Sequence, residues 1–156
     1  MIDKSKLLRQ VKTKQNILLG QSLVEQLMSS LYIFADLEEV METARKARKY
    51  EENWEVIGLY DEMVPISLKV QILPEERLLI FGIQEVNDRG NIRIEKKDFE
   101  WHKCKGNFVS TIYSVELSTT KKKKTIQDTH CWRCSDCGYI AFDMLQMERL
   151  SGSVLL

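Results

Sequence analysis

The chain is poor in the features that would settle its class at once. It has two prolines and seven glycines in 156 residues, with no repeat and no low-complexity linker. No run approaches the ~18 apolar residues that a membrane helix needs. The opening stretch, MIDKSKLLRQVKTKQ, lacks the apolar core and small-residue cleavage site of a secretory signal. The expectation is a cytoplasmic protein with no membrane association, whose four cysteines stay reduced. Net charge is missing too, since 23 basic and 23 acidic side chains cancel. That argues against indiscriminate coating of nucleic acid. A phosphate-binding glycine loop, G-x-S-x-G and H-E-x-x-H are all absent.

What is present is an ordinary globular composition, 44% apolar and 29% charged. The length suits one domain, or one domain with a small module appended. Charge is uneven along it: +4 over residues 1–20, −6 over 21–65, −1 over 66–100 and +3 over 101–156. The first fifty residues carry helical spacing. Leu7, Leu8, Val11, Leu18 and Leu19 form one set; Leu23, Val24, Leu27, Met28 and Leu31 form a second after Gly20. Ser22 and Glu25 have the spacing of a capping box, as do Asp36 and Glu39 before a third stripe of Leu37, Val40, Met41, Ala44 and Ala47. Arg45, Lys46, Arg48 and Lys49 would then close that helix against its dipole. Leucine, methionine and aromatics on more than one face of residues 18–34 also allow a homodimer through these helices.

Residues 54–64 are ambiguous between helix and strand. From Pro65 the period becomes two: Leu68, Val70 and Ile72 alternate, PEER turns, LLIFGIQEV returns, and NDRGN turns again into NIRIE. The fold class expected is α+β, with N-terminal helices, then an antiparallel meander ending in a hairpin. A soft boundary falls near residue 100, separating 1–100 from 101–156.

That last part holds the chemistry. THCWRCSDCGYIAF, residues 129–142, packs three cysteines and a histidine together, and HKC at 102–104 adds another pair. Between them lie a β-rich run, NFVSTIYSVEL, and a lysine-rich tip. If these fold as a hairpin, His102 meets Cys137 and Cys104 meets Cys134 at nearly the same index sum. Four N/S ligands from two short elements are what a tetrahedral zinc requires. The candidate ligands are Cys104, Cys134, Cys137 and His102, with Cys131 or His130 as alternates for the fourth. WRCSDCGYIAF resembles the C-terminal knuckle of a zinc ribbon, C-x-x-C-G followed by an aromatic and a strand. Cys134, Cys137, Gly138 and Tyr139 match it, over a module of about residues 101–142. The upstream half departs from the ribbon pattern, offering His102-Lys103-Cys104 in place of a second C-x-x-C. The resemblance implies a structural Zn(2+).

Catalytic readings fit less well. A zinc deaminase needs H-x-E and P-C-x-x-C, whereas here Cys104 follows His102 by two and Arg133 precedes Cys134. A thioredoxin-type C-x-x-C belongs at a strand-to-helix junction of a βαβ unit. The chain is therefore expected to be non-enzymatic. One reading is a small regulator or inhibitor, of the kind a phage or mobile element carries, that binds a protein partner. The alternative is a nucleic-acid-binding accessory factor, contacting phosphates through Lys121, Lys122, Lys123, Lys124 and Arg133. Trp101, Trp132 and Tyr139 could stack on bases, or pack over the metal site.

Overall fold

The computed structural model describes residues 2–29, 34–86, 100–104, 106–118 and 123–144. Helix α1 (Lys4–Thr13) starts on Asp3, whose carboxylate accepts from the Lys6 N–H at 2.8 Å. It buries Leu7, Gln10 and Val11 and ends where Lys14 turns left-handed, at φ 57°. Strand β1 (Ile17–Gly20) follows, buried at all four positions. Leu18 and Leu19 thus lie in a strand and not on the helix their spacing suggested. A four-residue apolar run buried on both faces has no period of its own to separate strand from helix. Helix α2 (Gln21–Ser29) turns Leu23, Val24 and Leu27 into the core. Ser22 lies inside its first turn, its hydroxyl buried and without a partner, so it does not cap.

Helix α3 (Phe34–Glu42) is shorter at its end and longer at its start than expected, and Asp36 sits in its first turn. Lys46–Tyr50 is strand β2, paired with β3 (Asn53–Tyr60) so that Arg48 stands opposite Glu55 and Lys49 opposite Trp54. Arg48 bonds the Glu55 carboxylate, and the Lys49 ammonium lies 4.3 Å from the Trp54 ring centre. The basic cluster thus finds cross-strand partners. Thr43 closes the corner, accepting from the Leu59 N–H at 2.8 Å. Gly58 leaves room for the Val40 carbonyl, with which any side chain there would collide.

Strands β4 (Val64–Leu73) and β5 (Arg77–Glu85) complete the meander, joined by a 3-10 turn at Pro74–Glu76. After residues 87–99, where the NDRGN turn and the NIRIE segment lie outside the described residues, come β6 (Phe108–Ser118), β7 (Lys123–Cys134) and β8 (Ile140–Asp143). All eight described strands share one sheet, in the order β2-β3-β4-β5-β1-β8-β7-β6. Only the β1–β5 pair is parallel. The fold is α+β: three described α-helices precede a mostly antiparallel sheet. Strands from both sides of residue 100 join where β8 pairs with β1.

Alternation sorts the sheet into two faces. Ile17, Leu19, Leu78 and Ile80 point to the helices with Leu23, Leu37, Val40 and Leu68. Leu18, Leu79, Phe81 and Ala141 point the other way, where Trp101, Phe108, Trp132 and Tyr139 pack over them. Farther along that second face, buried Glu55 bonds Ser67 at 2.7 Å and Lys69 at 2.8 Å. No described helix is long and apolar enough to cross a membrane.

Candidate metal centre

On the second face the segment 100–107 meets the turn after β7. His102, Cys104, Cys134 and Cys137 converge there, with their ligand atoms all within 4.8 Å of one another. The pairing that unites them is not the expected ladder. Cys134 stands opposite Phe108 in the β6–β7 register, so His102 and Cys104 precede β6 and reach the turn from outside the hairpin.

Three contacts hold that segment. The Gln71 side chain on β4 clamps the His102 backbone, accepting from its N–H at 2.9 Å and donating to its carbonyl at 2.6 Å. The Tyr139 hydroxyl donates to the Glu100 carbonyl at 2.8 Å. The Ser135 N–H donates to the Asn107 carbonyl at 3.1 Å. Tyr139 in turn leans on Gly20 of β1, where an added Cβ would lie 2.5 Å from its hydroxyl oxygen. The knuckle is closed locally by Gly138, at φ 78°, whose N–H reaches the Cys134 carbonyl at 3.0 Å. Its left-handed backbone is open to glycine at little cost.

The donor set fits a tetrahedral ion. The Cys104 and Cys134 sulfurs are 3.8 Å apart, and two thiolates on one zinc at ~2.3 Å would stand about 3.8 Å apart. His102 is 4% exposed, wedged against the Phe108 ring at 4.6 Å, and its Nε2 has no hydrogen-bond partner. A buried imidazole grouped with three thiols, with a ring nitrogen still unpartnered, is a set that a metal would satisfy. The Gly106 N–H points to the Cys104 sulfur at 3.1 Å, and a Cβ on Gly106 would sit 2.8 Å from the Cys134 sulfur. Burial pushes the Cys134 thiol up, but the N–H groups of Cys137 and Asp136, with the His102 and Cys137 side chains, outweigh it and hold it at about 6. Cys137 is raised by desolvation of its sulfur and by the neighbouring Cys134, against the N–H of Tyr139. The two thiols are thus pushed in opposite directions, Cys134 toward the thiolate and Cys137 away from it.

The two alternates stand apart. Cys131 is buried in the helix-side core, its thiol pushed up by burial. His130 bonds Ser110 and meets the Trp132 ring edge-on. Of the proposed phosphate contacts, Lys121 and Lys122 lie outside the described residues. Lys123 is exposed and sits 3.8 Å from Glu116; Arg133 is exposed, beside Gly138. The sequence held no signal for Gln71, a polar residue in an alternating strand, or for the dependence of Tyr139 on Gly20.

No family model, no curated protein and no solved structure matches the chain.

Proposed function

We propose that the chain is a non-enzymatic regulator or inhibitor that binds a protein partner, with a zinc-ribbon-like knuckle closed by structural zinc. The carrying observation is the donor set. Three sulfurs and one imidazole fill all four tetrahedral positions, leaving none for a catalytic water. The metal's chemistry is then to tie residues 100–107 to the turn after β7. Four residues at the site hold it: His102, Cys104, Cys134 and Cys137.

Strand β6 supports the partner reading. Among the described strands it ends the sheet order, and its Val109 and Ile112 are 52% and 69% exposed. An edge strand carrying exposed β-branched residues is a ready surface for strand addition.

Elemental mass spectrometry of protein purified without added metal is expected to find about one zinc per chain, lost in Cys134→Ser together with thermal stability. Metal-free protein with thiols that react readily at neutral pH would sink the zinc reading. For the partner, Ile112→Asp should abolish binding of any protein retained by the wild type at physiological salt. Salt-dependent retention of nucleic acid, abolished when Lys121, Lys122, Lys123 and Lys124 are changed to serine, would put the accessory-factor reading in its place.

A further inference from the structure

A cleft of about 560 Å³ runs from the candidate ligands His102 and Cys104, which line its inner end, to the space between the turn that ends β4 and the start of β6. That volume is within the range of small-molecule sites. Ile72, Leu73 and Pro74 form one apolar wall and Phe108 and Trp132 another. The lining carries one guanidinium and one carboxylate: Arg77, whose guanidinium carbon lies 4.5 Å from the Trp132 ring centre, and Glu75, two residues earlier in the turn. Stacking occupies the flat face of a guanidinium and leaves its in-plane N–H donors for other work. Arg77 forms no ion pair with a described residue. The Trp132 indole Nε1, on the same wall, is buried with no hydrogen-bond partner. The donors open to a ligand on this wall are thus those of Arg77.

The turn that positions Arg77 is held in a costly shape. Glu75 and Glu76 both have left-handed backbones, φ 64° and 56°, a conformation that glycine or asparagine adopts more readily. Helix α1 pins it: Gln10 Nε2 donates to the Glu76 carbonyl at 2.6 Å, and Lys6 bonds the Glu76 carboxylate. Strain held in place by a second element is found where the position of a wall matters.

The geometry points to a binding site for a small organic anion, a carboxylate or phosphate on a flat apolar body. The oxyanion takes the in-plane donors of Arg77, which suit a bidentate acceptor. The body lies between the aliphatic wall and Phe108. Charge fixes this orientation. Three thiolates and an imidazole on a divalent ion sum to a negative centre, so the anionic end sits at Arg77, away from Cys104 and from the Glu75 carboxylate.

The test uses zinc-loaded, nitrogen-15-labelled protein and its three indole N–H signals, from Trp54, Trp101 and Trp132, with Trp132 assigned through Trp132→Phe. Benzoate, adenosine monophosphate and inorganic phosphate are titrated in turn. Saturable movement of the Trp132 signal is expected with benzoate or the nucleotide below about 10 mM, and with inorganic phosphate about tenfold more weakly, because it lacks the apolar body. Whether benzoate or the nucleotide binds more tightly tells carboxylate from phosphate. Arg77→Gln should weaken the better ligand about tenfold or more while the Trp54 and Trp101 signals and the zinc content stay unchanged. Benzamidine, the same ring with a positive charge, should not bind the wild type. Saturation with none of the three anions, undiminished binding by Arg77→Gln, or equal binding of benzamidine overturns the assignment.

Discussion

The two faces of the sheet bury side chains of different chemistry. Under the helices the described core is a continuous apolar cluster of 24 residues running from Ile2 to Met144. On the opposite face only five apolar residues are clustered, beneath partly buried Trp101, Phe108, Trp132 and Tyr139. The first face can be held by removing area from water. The second cannot depend on that alone, and there the candidate metal ligands and the Glu55–Lys69 pair are found. Stripping the proposed zinc sharpens the contrast most. A chelator, or Cys134→Ser, should cost several kcal/mol, a fall in Tm of ~10 °C or more. In hydrogen exchange, residues 100–108 and 131–143 should lose protection while β3, β4 and β5 keep theirs. If the meander opens as well, the two faces are one cooperative unit and the comparison breaks.

The converse change is Leu68→Ala, at a fully buried position on the helix side. A cavity there should cost about 2–5 kcal/mol and leave the metal content at the wild-type ratio. A variant that lost metal in proportion to stability would show the knuckle depending on the core beneath it.

Much of the first face was legible, and the reasons differ by element. The meander announced itself through alternation, because Leu68 and Val70 turn into the helix-side core while Ser67 and Lys69 put polar groups on the other face; Ile72, the third of the set, is exposed. β1 did not, since four buried residues alternate with nothing. β2 was masked by its own composition: Ala47 continues the helical spacing of Val40 and Ala44, and what decides is pairing with β3, a long-range fact. On the second face, C-x-x-C-G and H-x-C identified four residues that do converge. The register that would bring them together was misjudged, because a hairpin index sum presumes that all four belong to the ladder. His102 and Cys104 are instead held by side chains from β4 and the knuckle, which spacing cannot reveal.

The Glu55 pair offers a smaller test, through pH. Burial alone would raise the carboxyl, but Lys69, Arg48 and Ser67 outweigh it and lower Glu55 to about 2 from 4.5. A carboxyl depressed in the folded state contributes stability that is complete above its unfolded value and fades as pH falls toward the folded one. The loss therefore falls between about pH 4.5 and 2, reaching roughly 2 kcal/mol by pH 3. Urea unfolding as a function of pH should show this slope in the wild type and a flatter one in Glu55→Gln. That variant is also less stable at neutral pH, because it leaves the buried Lys69 ammonium without its counter-charge. An identical slope in both proteins would assign the acid sensitivity to other carboxylates.

Gln71 ties the meander to the candidate metal centre, and its effect should be the smallest. It belongs to the meander, yet its amide does for His102 what a neighbouring strand would do, taking one N–H and supplying one for the carbonyl. Without it His102 keeps its ring, but the ion must order the segment that carries it. Outer contacts of this kind are worth about 10–100-fold in metal affinity. A clamp acting through the backbone belongs near the lower end, about 1.4 kcal/mol. Competition with a chromophoric chelator should show that loss in Gln71→Ala. Gln71→Glu, which can accept from the N–H but cannot donate to the carbonyl, should fall no closer to the wild type than midway. Unchanged affinity in Gln71→Ala would mean that the knuckle sets its own geometry and only rests on the sheet. The measured loss would mean that β4, a strand with no metal ligand, takes part in the metal site.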